Sequence, residues 1–473
     1  MSVAVKEAEN IQKKSGSWKK RIGIAVVILA VLYIGISIFF LSHYFFGTKI
    51  NGYDCQFKTA DEVKTYMKEY GENYTLTLKE RLDREEVITA SDLSLTFVDD
   101  GKLEKIKEEQ NGFLWIKALF QDYEYEKAVT FEYDEAALKA KFDALDCFDK
   151  TKVIAPENAY PRYSKYNKKY MIVSEVEGNT VKSEELFAKI ETAIQNDEYV
   201  IDLDEAGCYE NPEYYRDNEA VIAANDTLNQ YASAKITYDM DYTTEVVDAA
   251  DIHKWLSVDE NYEVTIDKTK IRDFMTWMGE KYNTAGRTRQ FTTPGGSTIS
   301  VSGGTYGWRL NQVDETEKLY KLVKKGAVKK RTPLWIQKGL PRDKDGDDIA
   351  DTYIAISTSA QYMWFYKDGE CLISTSVVTG DTTKGRGTPS GVYAIAFKQR
   401  NHTLTGQGYA SFVNYWLPFY EYRGIGIHDA SWRSSYGGSI YRGNGSHGCV
   451  NTPYSAVQYI YENVEVGTPV IVY

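Results

Sequence analysis

Three regimes of hydrophobic and polar positions follow one another along the chain. Residues 22–46 carry no charge. A helix rising about 1.5 Å per residue over such a run exceeds the roughly 30 Å hydrocarbon core of a bilayer. Residues 1–21 are polar and end in Lys19, Lys20 and Arg21. Basic flanks stay in the cytoplasm, so the pattern predicts a cytoplasmic tail over 1–21, a transmembrane helix over 22–46 and an exported remainder. Tyr44, Phe45 and Phe46 fall where an interfacial aromatic belt belongs. A cleaved signal peptide is the rival reading. It calls for a shorter apolar run and a small-residue cleavage site, and no such site follows.

Residues 50–340 alternate short strand patterns with amphipathic helices, and they do so twice. Thr89-Ala90-Ser91-Asp92-Leu93 returns as Asp248-Ala249-Ala250-Asp251-Ile252. Val129–Asp134 returns as Tyr262–Asp267. Each is followed by apolar positions at helical spacing: Leu138, Phe142 and Leu145, then Ile271, Met275 and Met278. Gly178-Asn179-Thr180-Val181 echoes Gly307-Trp308-Arg309-Leu310. A charged insertion near Asp99–Lys127 sets the first copy apart. The repetition predicts one α+β module used twice, over 50–210 and 211–340. The Gly-rich stretches 293–297 and 302–308 lack the strand and helix context of a phosphate loop and read as turns.

Beyond a charged stretch at Asp343–Asp348, period-two alternation takes over. That stretch has Ile354 where a calcium loop of the EF-hand kind needs its last Glu, and it reads as a solvated linker near 335–350. Strands are expected at 352–357, 362–366, 372–378 and 392–397, a hairpin turn at Lys367–Glu370, a helix at Tyr454–Asn463 and a closing strand at 466–473. The fold class is multidomain: an N-terminal transmembrane helix, two α+β modules and a mainly-β domain over 350–473.

Composition narrows the partners. A net charge of −12 argues against nucleic acid. Five scattered cysteines offer neither metal spacing nor a dense disulfide framework. Cys55, Cys147, Cys208 and Cys371 read as buried thiols, with a Cys147–Cys208 bridge open to them.

The fifth, Cys449, lies in a different setting. Two of the five histidines bracket it, His428 upstream and His447 two residues before it. A cysteine performs acyl chemistry as a thiolate, so it needs a base or cation beside it. Gly445 and Gly448 permit tight turns, and a Cys following a Gly can aim its own N–H at a reacting carbonyl. A zinc site would need a further ligand, and none stands at ligand spacing.

His428, seventeen intervening residues, then Ser446-His447-Gly448-Cys449-Val450-Asn451 resembles the signature of the L,D-transpeptidase (YkuD-like) catalytic domain. The resemblance extends over roughly 350–473, through Tyr353–Ile356, Gln361, Val378-Thr379-Gly380 and Thr388–Tyr393. The modules are similar to the peptidoglycan-binding domain that precedes this catalytic domain in membrane-anchored proteins of Gram-positive bacteria. Ile50-Asn51-Gly52 with Thr59–Val63 carries that likeness best. Binding by these modules is itself an inference in that family, and a plain spacer is the other reading.

The resemblance implies formation of 3-3 peptidoglycan cross-links between stem peptides through a cysteine acyl-enzyme, with no cofactor or metal. It implies Cys449 as nucleophile and His428 as proton donor and acceptor, oriented by the Asp429 carbonyl. His447 and Gly448 would shape the oxyanion pocket. Ser446 and Asn451 would hold the loop, and Arg442 would meet a substrate carboxylate. Glycan strands would bind across 50–340, and the catalytic domain would face the cell wall. An L,D-carboxypeptidase using the same Cys, a sortase-like enzyme, and a wall-binding scaffold with little catalysis are the alternatives. The sortase-like reading lacks the Arg it needs after Cys449.

Overall fold

The computed structural model describes residues 4–126, 128–406 and 408–473. The first three residues of the expected basic tail, and Lys127 at the end of the charged insertion, lie outside the described residues. The chain divides into two compact units, 1–159 with 174–215, and 160–173 with 216–473.

The first unit begins with α1 (Ala4–Ser42). Within it, Trp18–Ser42 is long and apolar enough to cross a membrane. The helix ends four residues short of the apolar run. Tyr44 and Phe45 are buried, not arranged as a belt. Tyr44 packs with Val63, Met67 and Leu103, and its hydroxyl donates to the Leu103 carbonyl at 2.6 Å. Phe45 packs instead with Phe40 and Ala118.

The two units share a run of elements. In the first unit, β1 (Thr75–Glu80) pairs antiparallel with β2 (Arg84–Thr89). The helix α2 (Ala90–Leu93) follows at once, started by a capping box between Thr89 and Asp92. After α3 (Glu135–Asp143), β3 (Val200–Asp202) returns parallel to β1. In the second unit, β4 (Lys235–Asp239) and β5 (Thr244–Val247) form the same hairpin. Asp248 caps α4 (Ala249–Ile252), α5 (Lys268–Tyr282) follows, and β8 (Val328–Arg331) lies parallel to β4. The echo at 89–93 and 248–252 is therefore a helix cap, repeated because both hairpins feed a short helix. Leu138, Phe142 and Leu145 are buried in one module, Ile271, Met275 and Met278 in the other. Cys147 and Cys208 sit in the first module's core as free thiols. Cys371 is exposed, contrary to expectation, because its strand is the last in its sheet.

Between α5 and β8, a hairpin of β6 (Arg289–Thr292) and β7 (Thr298–Val301) leads into the glycine-rich turn. Here Gly304 has φ +84°, and a Cβ on it would lie 1.9 Å from the Val392 carbonyl oxygen. Only glycine permits that approach. Val392 N–H donates to Gly303 O at 3.1 Å and Tyr306 N–H to Val392 O at 3.0 Å. The turn thereby pairs with the edge of the C-terminal sheet.

The stretch before that sheet is not a solvated linker throughout. Arg342 and Asp348 are buried. The Arg342 guanidinium lies 4.5 Å from the Trp308 ring and 4.8 Å from that of Tyr242, and Nη1 donates to Tyr282 O at 3.0 Å. Asp348 pairs with Arg289 and accepts from Thr284 Oγ1 at 2.6 Å. Only 343–347 is an exposed turn, organised by Asp343 Oδ1 accepting from the Asp345 and Asp347 amides.

The C-terminal domain holds two sheets. One runs β11-β10-β9-β17-β12, from β9 (Tyr353–Ser357), β10 (Tyr362–Lys367), β11 (Glu370–Ser376), β12 (Gly391–Ala394) and β17 (Pro469–Val472). The other runs β13-β14-β15-β16, from β13 (Gln399–Gly406), β14 (Tyr409–Tyr420), β15 (Ile425–Asp429) and β16 (Val450–Thr452). Ile354, Ile356, Phe365, Leu417, Ile427 and Val450 form their shared core with α6 (Tyr454–Asn463).

Candidate active site

β15 and β16 run side by side in parallel, with His428 opposite Asn451 and Asp429 opposite Thr452. This register brings the end of β15 beside the turn that opens β16, so the two halves of the motif meet across one strand spacing. Both strands are buried along their whole length.

The turn 446–449 is closed by one hydroxyl. Ser446 Oγ accepts from the Gly448 amide at 3.0 Å and donates to the Cys449 carbonyl. Gly448 has φ +125°, and a Cβ there would press on Ile425 at 3.1 Å. Its carbonyl accepts from Thr388 Oγ1 at 2.7 Å, whose oxygen in turn accepts from the Gly380 amide. Asp381 N–H donates to Ser446 O at 2.9 Å. The residues Val378–Thr388 thus hold the turn from the other sheet.

Cys449 is half-buried, and its thiol points to the Gly424 carbonyl at 3.4 Å. Burial pushes the thiol up to about 11, against a smaller opposing pull from the Gly426 amide. His428 is buried. Its Nδ1 donates to the carbonyl of Asp429 at 2.7 Å, which fixes the tautomer and leaves Nε2 as the acceptor nitrogen. Desolvation brings this imidazole down to about 4. The Asp429 carboxylate faces away and accepts from the Asn414 and Tyr415 amides at 2.8 and 2.9 Å, pinning β15 to β14.

The Asn451 amide lies between two groups. Oriented to satisfy both, its nitrogen donates to His428 Nε2 at 3.3 Å and its oxygen accepts from Arg433 Nε at 2.6 Å. Arg433 also donates to Asn444 O at 2.7 Å. His447 is exposed and accepts from Arg386 Nη1 on Nε2 at 2.6 Å, with its ring 4.7 Å from that of Tyr409. Desolvation and the charges of Arg386 and Lys384 lower its proton affinity.

A cleft of about 230 Å³ opens over these groups, lined among others by Tyr409, His428, Trp432, Arg433, His447 and Cys449. Ser446 and Asn451 also line it. Gly448 and Asp429 stand behind it as backbone. Arg442 is exposed and off the cleft wall, with Nε on the Tyr441 hydroxyl at 3.0 Å. Sequence reasoning missed Arg433, Trp432 and Tyr409. Arg433 and Trp432 lie within five residues of His428, a signal available in the sequence. Tyr409 arrives from a hairpin that no motif marks.

Cys449 and His428 line one cleft of a mainly-β domain, and the family that this domain matches is one of cysteine-dependent enzymes. Residues 351–472 match the L,D-transpeptidase catalytic domain. Residues 217–330 match the domain described as "Putative peptidoglycan binding domain". A cysteine-to-serine mutant of the Enterococcus faecium L,D-transpeptidase is 35% identical, over 52% of this chain and 98% of that one, with a TM-score of 0.44. The Ldtfm–avibactam carbamoyl enzyme is 36% identical over 52% of this chain and 96% of its own, with a TM-score of 0.43. The catalytic domain of the Enterococcus faecium enzyme acylated by ertapenem is 44% identical, over 26% of this chain and 97% of that one, with a TM-score of 0.24. No curated protein gives a match. The chain belongs to the L,D-transpeptidase family, and it carries the family's catalytic domain behind a peptidoglycan-binding type of module.

Proposed function

We propose that this enzyme joins peptidoglycan stem peptides through 3-3 cross-links. Cys449 attacks the carbonyl of the third residue of a donor stem, and the terminal D-amino acid leaves with the proton that its amine requires. The thioester then passes to the side-chain amine of an acceptor stem, and the thiol is restored. The observation that carries this reading is the joining of the turn 446–449 to His428 by parallel pairing of β15 and β16.

His428 takes the thiol proton on Nε2, because Nδ1 is committed to the Asp429 carbonyl. The Cys449 amide is the oxyanion donor, since the Gly448 amide is spent on Ser446. Gly448 contributes its left-handed conformation, which turns the peptide plane toward the cleft. His447 walls the cleft from the side of Arg386. Substrate carboxylates meet Arg386, a cation that borders the cleft beside His447.

Helix α1 anchors the chain with its N-terminus in the cytoplasm and the catalytic domain facing the wall. The first module offers a second cleft of about 680 Å³, bounded by Leu82, Ile154, Val176, Tyr215, Glu177 and Asp204. Its apolar floor and carboxylate acceptors suit the sugar faces and hydroxyls of a glycan strand. The Arg81 guanidinium is saturated by Asp204, Asn211 and the carbonyls of Glu177 and Gly178, so the cleft is not built for an anion.

The deciding experiment incubates the protein with a carbapenem and records intact mass. One adduct, mapped to Cys449 and lost in Cys449→Ala, is the expected result. A folded protein that stays unmodified overturns the assignment of the nucleophile. Product analysis with paired stems then separates cross-linking from trimming by water.

A further inference from the structure

The charged insertion of the first module carries one apolar stretch, Gly-Phe-Leu-Trp-Ile-Lys-Ala-Leu-Phe at 112–120. It folds as a short 3-10 helix, Gly112–Leu119, started by Asn111 accepting from the Phe113 amide at 3.0 Å. One side packs on α1. Gly112 approaches so closely that a Cβ would lie 2.6 Å from Ser37 O. The Trp115 ring sits 6.1 Å from that of Tyr33 and 6.4 Å from that of Phe40. The Tyr33 hydroxyl donates to the Phe113 carbonyl at 2.5 Å.

The other side is bare. Phe113, Leu114, Ile116, Leu119 and Phe120 are 44% to 86% exposed. Five large apolar side chains in eight residues form a patch of the kind that marks an interaction surface. The occupant follows from continuity. The patch borders a helix whose own faces expose Ile28, Leu29, Leu32, Phe39 and Leu41, and that helix has the length and composition of a membrane span. Its contacts run from Tyr33 to Leu41. Counted from Arg21 at about 1.5 Å per residue, that is roughly 18 to 30 Å into a hydrocarbon core of about 30 Å.

We infer that 112–120 is a membrane-docking element, seated in the outer leaflet beside α1 and holding the first module against the lipid surface. The backbone is suited to that depth. The Leu114 and Phe120 amides bond to Asn111 O and Lys117 O, and Phe113 O is taken by Tyr33, so these groups do not need water. Lys117 is exposed at the same edge and can reach the headgroups. This inference rests on α1 being an uncleaved anchor.

The test uses the full chain in phosphatidylcholine–phosphatidylglycerol vesicles, with Cys371→Ser and Cys449→Ser to silence the accessible thiols. Phe120→Cys and, separately, Ile116→Cys are exposed to a membrane-impermeant maleimide, with Leu82→Cys as the solvent-exposed reference. Chains that float with the vesicles should label at 116 and 120 at least about tenfold more slowly than at 82. Equal rates overturn the inference while leaving the anchor intact. Slow labelling that becomes fast after about tenfold dilution with lipid shows a second copy on the patch, which also overturns it. Failure to float sinks the anchor, and the inference with it.

Discussion

The Nδ1 of His428 donates to the backbone carbonyl of Asp429, its own neighbour, at 2.7 Å. A carbonyl orients the ring, and its pull together with that of the Asp429 carboxylate offsets only part of the burial that holds this imidazole near 4. With the Cys449 thiol near 11, the resting pair is neutral between those values and differs from a thiolate–imidazolium pair. Acylation by a β-lactam should therefore keep its full rate well below pH 6.5 and fall only as His428 protonates near pH 4. The linkage has a sign. The unfolded imidazole binds its proton at 6.5 and the folded one at about 4, so stability falls as pH drops through that window, by about 3 kcal/mol when complete. An acylation profile with its acid limb at 6.5 sinks this account.

Arg433 should act through Asn451. Its guanidinium holds the amide oxygen, and the amide nitrogen then meets His428 Nε2. Arg433→Met is expected to slow acylation on the order of tenfold to a hundredfold, the scale of small misplacements at a reacting centre. In a double-mutant cycle with Asn451→Ala, the two losses should not add. Additive losses would mean that Arg433 serves the substrate directly.

How much of this was legible in the chain depends on how local the signal was. The pair of His428 and Cys449 was written in one stretch, as were the turn glycines and the cap repeated at Thr89 and Asp248. Tyr44 and Phe45 depart from the belt pattern because an apolar run does not record where exposed helix gives way to buried core. Asp348 reads as solvated in the sequence because its partners, Arg289 and Thr284, lie about sixty residues away. The hairpin β13–β14 leaves no such signal because its outer strand, with Arg400, His402 and Thr405, carries few apolar positions to set a period.

The buried pair of Asp348 and Arg289 makes a prediction about stability. Asp348 is fully buried, and it ties the β6 strand to the segment that enters the catalytic domain. Removing one member of a buried pair leaves an uncompensated charge, at a cost of about 3 to 5 kcal/mol. Asp348→Ala should lower the midpoint of urea unfolding sharply, while Asp345→Ala, in the exposed turn, should leave it unchanged. Equal effects would show that Asp348 is solvated after all.

Leu82 separates folding from binding in the first module. It stands in the β1–β2 turn with φ +65°, followed by Asp83 at φ +55°, and its side chain is 69% exposed on the rim of the second cleft. A branched apolar residue there gains little from burial and holds a backbone conformation that suits glycine. Leu82→Gly relieves that conformation but loosens the unfolded chain, so the two effects nearly cancel, to within about 1 kcal/mol. Leu82→Asn keeps a side chain, tolerates the left-handed turn and should leave the unfolding midpoint equal or higher. If the cleft holds glycan, both variants should bind purified sacculi more weakly in a sedimentation assay while carbapenem acylation of Cys449 proceeds at the normal rate. Undiminished sacculus binding by both would remove Leu82, and with it the apolar rim of this cleft, from the account of how the module meets the wall.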